Sequence, residues 1–156
     1  MIPLKTTATV LYTAPSLSHL IKTYKERLNN LFSYTYNARG IDAEILFEAI
    51  VLTMERLEAL KLLKMVLNTA FSMLNERQQE FLTLYYYKGI SPKKILNRMN
   101  IGIDQFKYIK ECVLKKMGCN VEILGFSNQR IIECFDDVAQ FIASAERVEN
   151  MGKEEI

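Results

Sequence analysis

The chain has 156 residues, a hydrophobic fraction of 49% and a formal net charge of +2. A chain of this size and composition can bury a core as one domain, or as a domain with a small appendage, which excludes a disordered protein. Lysines interrupt the most apolar stretch and the amino terminus has no signal-peptide pattern, so we expect a cytoplasmic protein that does not enter a membrane.

The amino-terminal part, residues 1–73, is predicted to be mostly helical. Residues 4–12 are the exception, because their Thr and Val content favours an extended arm or an edge strand. Apolar residues at helical spacing then predict a helix from about Leu17 to Ala38, with Gly40 as its stop.

A longer helix is predicted from a cap at Asp42 to about Met73. So long an apolar run needs a partner. That partner is either the preceding helix, packed antiparallel, or the same helix in a second subunit. Residues 1–73 are therefore our candidate dimerisation region of a homodimer.

Residues 91–110 predict two short helices joined by a tight turn, the arrangement of a DNA-binding helix-turn-helix. Ser91 is the predicted cap of the first helix and Pro92 its first residue. Asn100 is the predicted bend, because Asn tolerates a left-handed backbone. The second helix, with its stripe of Ile101, Phe106, Ile109 and Val113, is predicted to end at Gly118.

A wider window, LNERQQEFLTLYYYKGISPKKILNRMNIGIDQFKYIKECVLKKM at residues 74–117, resembles region four of bacterial sigma factors. That family is a four-helix module that reads promoter DNA, and it also occurs in phage and mobile-element regulators of late transcription. The positions that agree are Leu74, Glu76, Arg77, Glu80, Leu82, Leu84, Tyr86, Gly89, Ser91, Ile95, Met99, Ile101, Phe106, Ile109 and Leu114. The rest of the chain does not resemble sigma region two, so a stand-alone sigma factor is not expected.

Four positions depart from the family pattern. Leu96 replaces a small alanine, and Gly102 replaces the Ser or Thr that caps the recognition helix. Tyr85 and Ile103 stand where basic residues often meet DNA. The resemblance therefore implies fewer phosphate contacts than the family makes.

The outward face of the recognition helix supplies the candidate DNA contacts, which are Asp104, Gln105, Lys107, Tyr108 and Lys110. In a major groove, Gln105 can pair with adenine, Asp104 can accept from cytosine, and Lys107 can reach guanine or phosphate. The basic side chains of the preceding turn and helix are the predicted phosphate contacts, namely Lys88, Lys93, Lys94 and Arg98. The alternative is that these lysines only solvate helix surfaces.

Charge is divided along the chain. Residues 74–117 carry nine basic against four acidic residues, whereas residues 118–156 carry three against eight. The first balance favours a nucleic-acid partner. The acidic part is predicted to contain a short extended piece, one helix starting at Asn128 and a frayed tail from residue 149. In a monomer the wide apolar face of that helix would pack on the long helix, and exposed it would be a docking surface.

Catalysis, metals and cofactors are not predicted. The single histidine excludes a multi-histidine metal site, and the three cysteines have unrelated spacings. Phosphate-binding and nucleophile-elbow motifs are also missing from the sequence.

The sequence thus predicts an all-α helical bundle with a central helix-turn-helix of sigma-region-four type and an additional C-terminal helix. The predicted function is that of a DNA-binding transcriptional regulator, encoded by a phage or mobile element, whose partner is double-stranded DNA. The alternative is an accessory factor whose degenerate helix-turn-helix contacts protein and steers RNA polymerase or a site-specific recombinase. The tyrosine run 85–87 would suit that alternative, because tyrosines favour interfaces.

Overall fold

The computed structural model describes residues 1–37 and 42–154, and every regular element in these ranges is helical. The predicted all-α class is therefore confirmed. The elements are α1 (Leu4–Thr13), a 3-10 turn (Ala14–Ser16), α2 (Leu17–Asn37), α3 (Ala43–Ser72), α4 (Glu76–Leu82), a π-helical segment (Thr83–Tyr87), α5 (Pro92–Met99), α6 (Ile103–Ile123), α7 (Asn128–Phe135) and α8 (Ala139–Glu154). Within the described ranges, no helix combines the length and apolar character needed to cross a membrane.

The chain divides into two compact units. We call Ser16–Met65 the hairpin unit, and Met1–Pro15 with Val66–Ile156 the main unit. The helix-turn-helix belongs to the main unit.

In the hairpin unit, α2 and α3 run in opposite directions. Lys64 Nζ donates to Ser18 Oγ at 2.8 Å, which brings the start of α2 next to the later part of α3. The Glu44 N–H donates to Asp42 Oδ1 at 2.9 Å, so the predicted cap of the long helix is confirmed. The predicted stop at Gly40, with Ala38, lies outside the described residues. The buried apolar residues of this unit are Leu17, Leu20, Ile50, Leu57, Leu60 and Leu63.

Residues 4–12 form α1, so the predicted extended arm or edge strand is wrong. Val10 and Leu11 are buried, and α1 lies against α6 and α8. Burying this face outweighs the modest helix penalty of Thr and Val, which is at most about 0.7 kcal/mol per residue. Three threonine hydroxyls also donate to carbonyl groups four residues earlier, at 2.8 to 3.3 Å, from Thr7, Thr9 and Thr13.

The predicted recognition helix is α6, which continues through Gly118 to Ile123. The predicted stop and the short extended piece after it are therefore wrong. Gly118 is buried, and a methyl group there would lie 2.9 Å from Thr7 Oγ1. This glycine therefore permits the close approach of α1 and does not end a helix. The helix is terminated instead by Gly125, just beyond its last residue Ile123, because the φ of 109° at Gly125 lets Phe126 N–H donate to Val121 O at 3.1 Å.

The single C-terminal helix that we predicted is two helices. Ser127 caps α7, accepting from Arg130 N–H at 3.2 Å, and the chain turns at residues 136–138 before α8. The turn lets Phe135 and Phe141 stack with their ring centroids 4.7 Å apart. The α8 part of this segment packs against α1, and α8 extends to Glu154 where we predicted a frayed tail.

Candidate nucleic-acid interface

The turn between α5 and α6 has the conformation that the sequence predicted. Asn100 has φ 52° and ψ 53°, in the left-handed region. Ile101 N–H donates to Leu96 O at 3.0 Å, which closes the end of α5. Gly102 occupies the cap position of α6 without a side-chain hydrogen bond, as predicted.

The start of α5 agrees with the prediction in part. Pro92 is the first helical residue and Ser91 occupies the cap position. The Ser91 side chain, however, makes no capping hydrogen bond, so its predicted capping contact is wrong. Proline has no N–H to satisfy, so this helix start has fewer unsatisfied donors.

A fully capped helix precedes the helix-turn-helix. Gln78 N–H donates to Asn75 Oδ1 at 2.8 Å, and Asn75 N–H donates to Gln78 Oε1 at 3.2 Å. This reciprocal pair is a capping box. It fixes where α4 begins, and α4 in turn packs against α6.

A π-helical segment connects α4 to the turn before α5. Lys88 N–H donates to Thr83 O at 2.9 Å, five residues back, and Gly89 then adopts φ 63°. The segment turns Tyr85 and Tyr86 into the core. Burial raises the pKa of both phenols, and it raises the pKa of Tyr87 to about 12.

These tyrosines join an aromatic cluster under the recognition helix. The Tyr85 ring centroid is 5.5 Å from that of Phe106 and 4.8 Å from that of Tyr86. Tyr86 in turn lies 4.8 Å from Tyr12 of α1. Tyr86 is therefore a core residue. Tyr85 is buried as well, so it offers no surface to a protein partner.

The amino-terminal half of α6 presents a polar, exposed face. Phe106 is buried, whereas the side chains of Asp104, Gln105 and Lys107 are exposed. Tyr108 is 70% exposed, and a hydrogen bond with Cys112 raises the pKa of its phenol. The structure therefore brings four of the five predicted α6 contacts onto one accessible surface.

Lys110, the fifth predicted contact, is half-buried. Its ammonium lies 5.4 Å from the centre of the Tyr85 ring, a cation–π distance. Burial lowers its pKa. Lys110 thus covers the aromatic cluster with its stem and presents less of its charge to a ligand than Lys107 does.

The four predicted phosphate contacts are all exposed. Lys88, Lys94 and Arg98 line one open groove of about 630 Å³, together with the backbone of Gly89. Lys93 is exposed on α5 but does not line this groove. The groove therefore gathers three cations from the turn before α5 and from α5 itself.

Two basic residues near these surfaces were not among the predicted contacts. A methyl group at Gly89 would lie 3.7 Å from Arg147 Nη2, so α8 brings a guanidinium next to the cationic groove. Arg77 of α4 lines a second depression with Gln105 and Tyr108. Arg77 is one of the positions that agree with sigma region four, so the resemblance could have pointed to it as a contact. Arg147 lies in the acidic segment 118–156, and nothing in the sequence pointed to it.

Comparisons with protein-family models, with characterised proteins and with solved structures found no match to this chain. The resemblance to sigma region four stays a prediction from the residues. Among residues 1–37 and 42–154, no group of three His, Cys, Asp or Glu side chains is arranged to hold a metal ion.

Proposed function

We propose that this protein is a DNA-binding transcriptional regulator of phage or mobile-element type that inserts α6 into the major groove of double-stranded DNA. The observation that carries the proposal is the α5–Asn100–α6 turn, which joins a short helix to a longer helix whose first turns are polar and exposed. A recognition helix contacts base edges through its amino-terminal residues. In this account the protein acts in the cytoplasm without a cofactor or a catalytic site.

Three side chains at the start of α6 would recognise the base sequence of the DNA. Gln105 offers a bidentate pair to adenine, Asp104 an acceptor to the cytosine amino group, and Lys107 a donor to guanine or phosphate. Each good bidentate pair contributes about 1–3 kcal/mol of discrimination. Their exposure supports this role, because a side chain must be free of the core to reach a base edge.

Affinity would come from the cations around the helix-turn-helix. Lys88, Lys93, Lys94 and Arg98 would neutralise phosphates and fix the orientation of the protein on DNA. Tyr108 would donate to a phosphate. Lys110 would contribute less to DNA affinity than these residues, because its ammonium lies over the Tyr85 ring.

We also propose that this DNA-binding protein is a homodimer whose two subunits contact each other through the hairpin unit. Four large apolar side chains in the first part of α3 are exposed, namely Ile45, Phe47, Leu52 and Met54. Two recognition helices related by a two-fold axis would bind half-sites about 34–36 Å apart. Light scattering of the parent chain and of Phe47→Asp with Leu52→Asp tests this, since the dimer must become monomeric in the variant.

A second candidate function is protein docking by the same helix, with RNA polymerase or a recombinase as the partner. The observation in its favour is that Ile103 and Tyr108 of α6 are 44% and 70% exposed, which gives the accessible part of this helix some apolar character. The tyrosine run does not support protein docking, because Tyr85 and Tyr86 are buried and cannot contact a partner.

Selection of bound duplexes from a random pool tests the proposed function. We expect a shared motif of a few base pairs to be enriched, and Gln105→Ala to relax one position of it by about 1–3 kcal/mol. Enrichment of no motif by a protein that remains folded would contradict sequence reading and favour protein docking.

A further inference from the structure

A groove on the main unit lies on elements that the helix-turn-helix does not use. Its volume is about 410 Å³, and α1 forms one wall while α7 and α8 form the other. The floor is apolar, contributed mainly by Ile131, Ile132, Phe135, Phe141, Ile142 and Ala145. Ile132 and Ile142 are 48% and 46% exposed, so the floor is accessible from solvent.

The dimensions of the groove match one side of a helix. Its lining on α8 runs from Phe141 to Glu149, which is about 12 Å at 1.5 Å per residue. Anchor residues at positions i, i+4 and i+7 of a docked helix span about 10.5 Å by the same rise. The floor can therefore take the apolar stripe of about two helical turns.

The charge of the rim selects among amphipathic helices. Asp136, Glu146 and Glu149 line the α7 and α8 side, and Lys5 is the one cation that lines the α1 side. All four side chains are exposed, and none of the three carboxylates forms an ion pair with another side chain in the described parts of the chain. A ligand with lysine or arginine beside its apolar stripe would complement this rim.

We propose that this groove binds an amphipathic helix of a partner protein, with apolar side chains at i, i+3 or i+4 and i+7 on the floor and basic side chains facing α8. The site is separate from the proposed DNA-reading face, which is built from α5 and α6. The two functions can therefore be tested independently.

A designed peptide can serve as the probe. The peptide has about 18 residues, enough for a stable helix, with leucines at helical spacing and lysines on the remaining face. A second peptide has the same leucines with glutamates in place of lysines. Fluorescence anisotropy of each labelled peptide with the full chain should give saturable binding of the lysine peptide, at least about tenfold tighter than of the glutamate peptide.

Variants then locate the binding. Ile142→Asp, which charges the floor, and Glu146→Gln with Glu149→Gln, which neutralises the rim, should each weaken the lysine peptide by about tenfold or more. The matched controls are Ile123→Asp, at an isoleucine 71% exposed on α6 outside the groove, and Glu48→Gln with Glu55→Gln in the hairpin unit. The controls should stay within about twofold of the parent, since they do not touch the site.

Isoleucine methyl NMR of the parent protein gives a second, mutation-free measurement. The lysine peptide should shift the methyl signals of Ile132 and Ile142 and leave those of Ile45 and Ile123 in place. Lack of saturable binding, equal binding of both peptides, equal loss in the control variants, or methyl shifts confined to isoleucines outside the groove would each overturn the proposal.

Discussion

The guanidinium carbon of Arg147 lies 4.3 Å from the centre of the Tyr12 ring. Arg147 belongs to α8 and Tyr12 to α1, and the Tyr12 ring in turn contacts Tyr86 below the helix-turn-helix. A side chain of the acidic C-terminal segment thus packs on the aromatic cluster that supports the recognition helix. Tyr12 also donates from its hydroxyl to the Met151 sulfur at 3.0 Å, a second link between the same two helices.

Replacement of Arg147 by methionine should lower the free energy of unfolding by about 0.5–1 kcal/mol, the range for a cation–π pair that is not fully desolvated. Methionine keeps an unbranched stem, so the change in packing is small. Urea unfolding of Arg147→Met, of Tyr12→Leu and of the double variant measures the coupling between the two residues. Purely additive effects would show that the pair does not interact.

Gly118 should not tolerate alanine, even though it lies inside a helix. The added methyl group would meet Thr7 Oγ1 at 2.9 Å, so Gly118→Ala should destabilise by about 1–3 kcal/mol. Gly152 is the matched control, because it is also helical and has open space around it. Gly152→Ala should be neutral or stabilise by up to about 1 kcal/mol, as helix propensity requires. Thermal unfolding of the two variants checks this, and equal effects would refute the close approach of α1.

Some helices of the fold could be predicted from the sequence, and others could not. Helix periodicity predicted α2 and α3 closely, because apolar residues recur at helical spacing along both segments. It failed at α1, where tertiary packing decides the conformation of Thr- and Val-rich residues. It failed again at Gly118, because a glycine needed for close approach looks the same in sequence as one that ends a helix.

The candidate site was predicted better than its surroundings. Turn chemistry is local, so Asn100 and Pro92 identified the two helices and the turn between them correctly. Lys110 was predicted to face outward, but its ammonium lies over the Tyr85 ring. Tyr85 belongs to a π-helical segment, and helical periodicity does not predict such a segment. Arg147 is distant from Gly89 in the sequence but lies next to it in the fold. Such a contact depends on tertiary packing, so local sequence patterns do not predict it.

The left-handed conformation of Asn100 gives a third prediction. Asn100→Ala should lower stability by about 1 kcal/mol, because alanine tolerates this region less well than asparagine, whereas Asn100→Gly should be neutral or slightly stabilising. Asn97→Ala is the control, since Asn97 is exposed inside α5 and alanine favours a helix. Chemical denaturation distinguishes these cases. A loss of stability in Asn100→Gly would mean that the backbone is not left-handed there.

Alkaline pH should unfold the protein through its buried phenols. The pKa values of Tyr85, Tyr86 and Tyr87 are raised by burial, that of Tyr87 to about 12. The unfolded chain therefore loses these protons from about pH 10, while the folded chain still holds them. The contribution of these phenols to the free energy of unfolding should be constant up to that pH and then fall as pH rises.

Urea unfolding between neutral pH and about pH 11 checks the alkaline prediction. Tyr87→Phe should show a shallower fall, because one titrating phenol is gone. Tyr34→Phe is the control, since Tyr34 is exposed. A fall of stability with the same steepness in the parent and in Tyr87→Phe would show that Tyr87 does not contribute.

Fluorescence anisotropy with labelled duplexes at two salt concentrations tests whether α5 and α6 bind DNA. The test variant is Lys94→Ala with Lys107→Ala, chosen because both lysines are exposed and Lys110 is not. The matched control is Lys22→Ala with Lys25→Ala on α2. We expect salt-sensitive binding that the control variant retains and the test variant weakens, with a salt slope shallower by about one for each phosphate that is no longer neutralised. Absence of binding at low salt, or equal binding by the two variants, would show that α5 and α6 do not bind DNA.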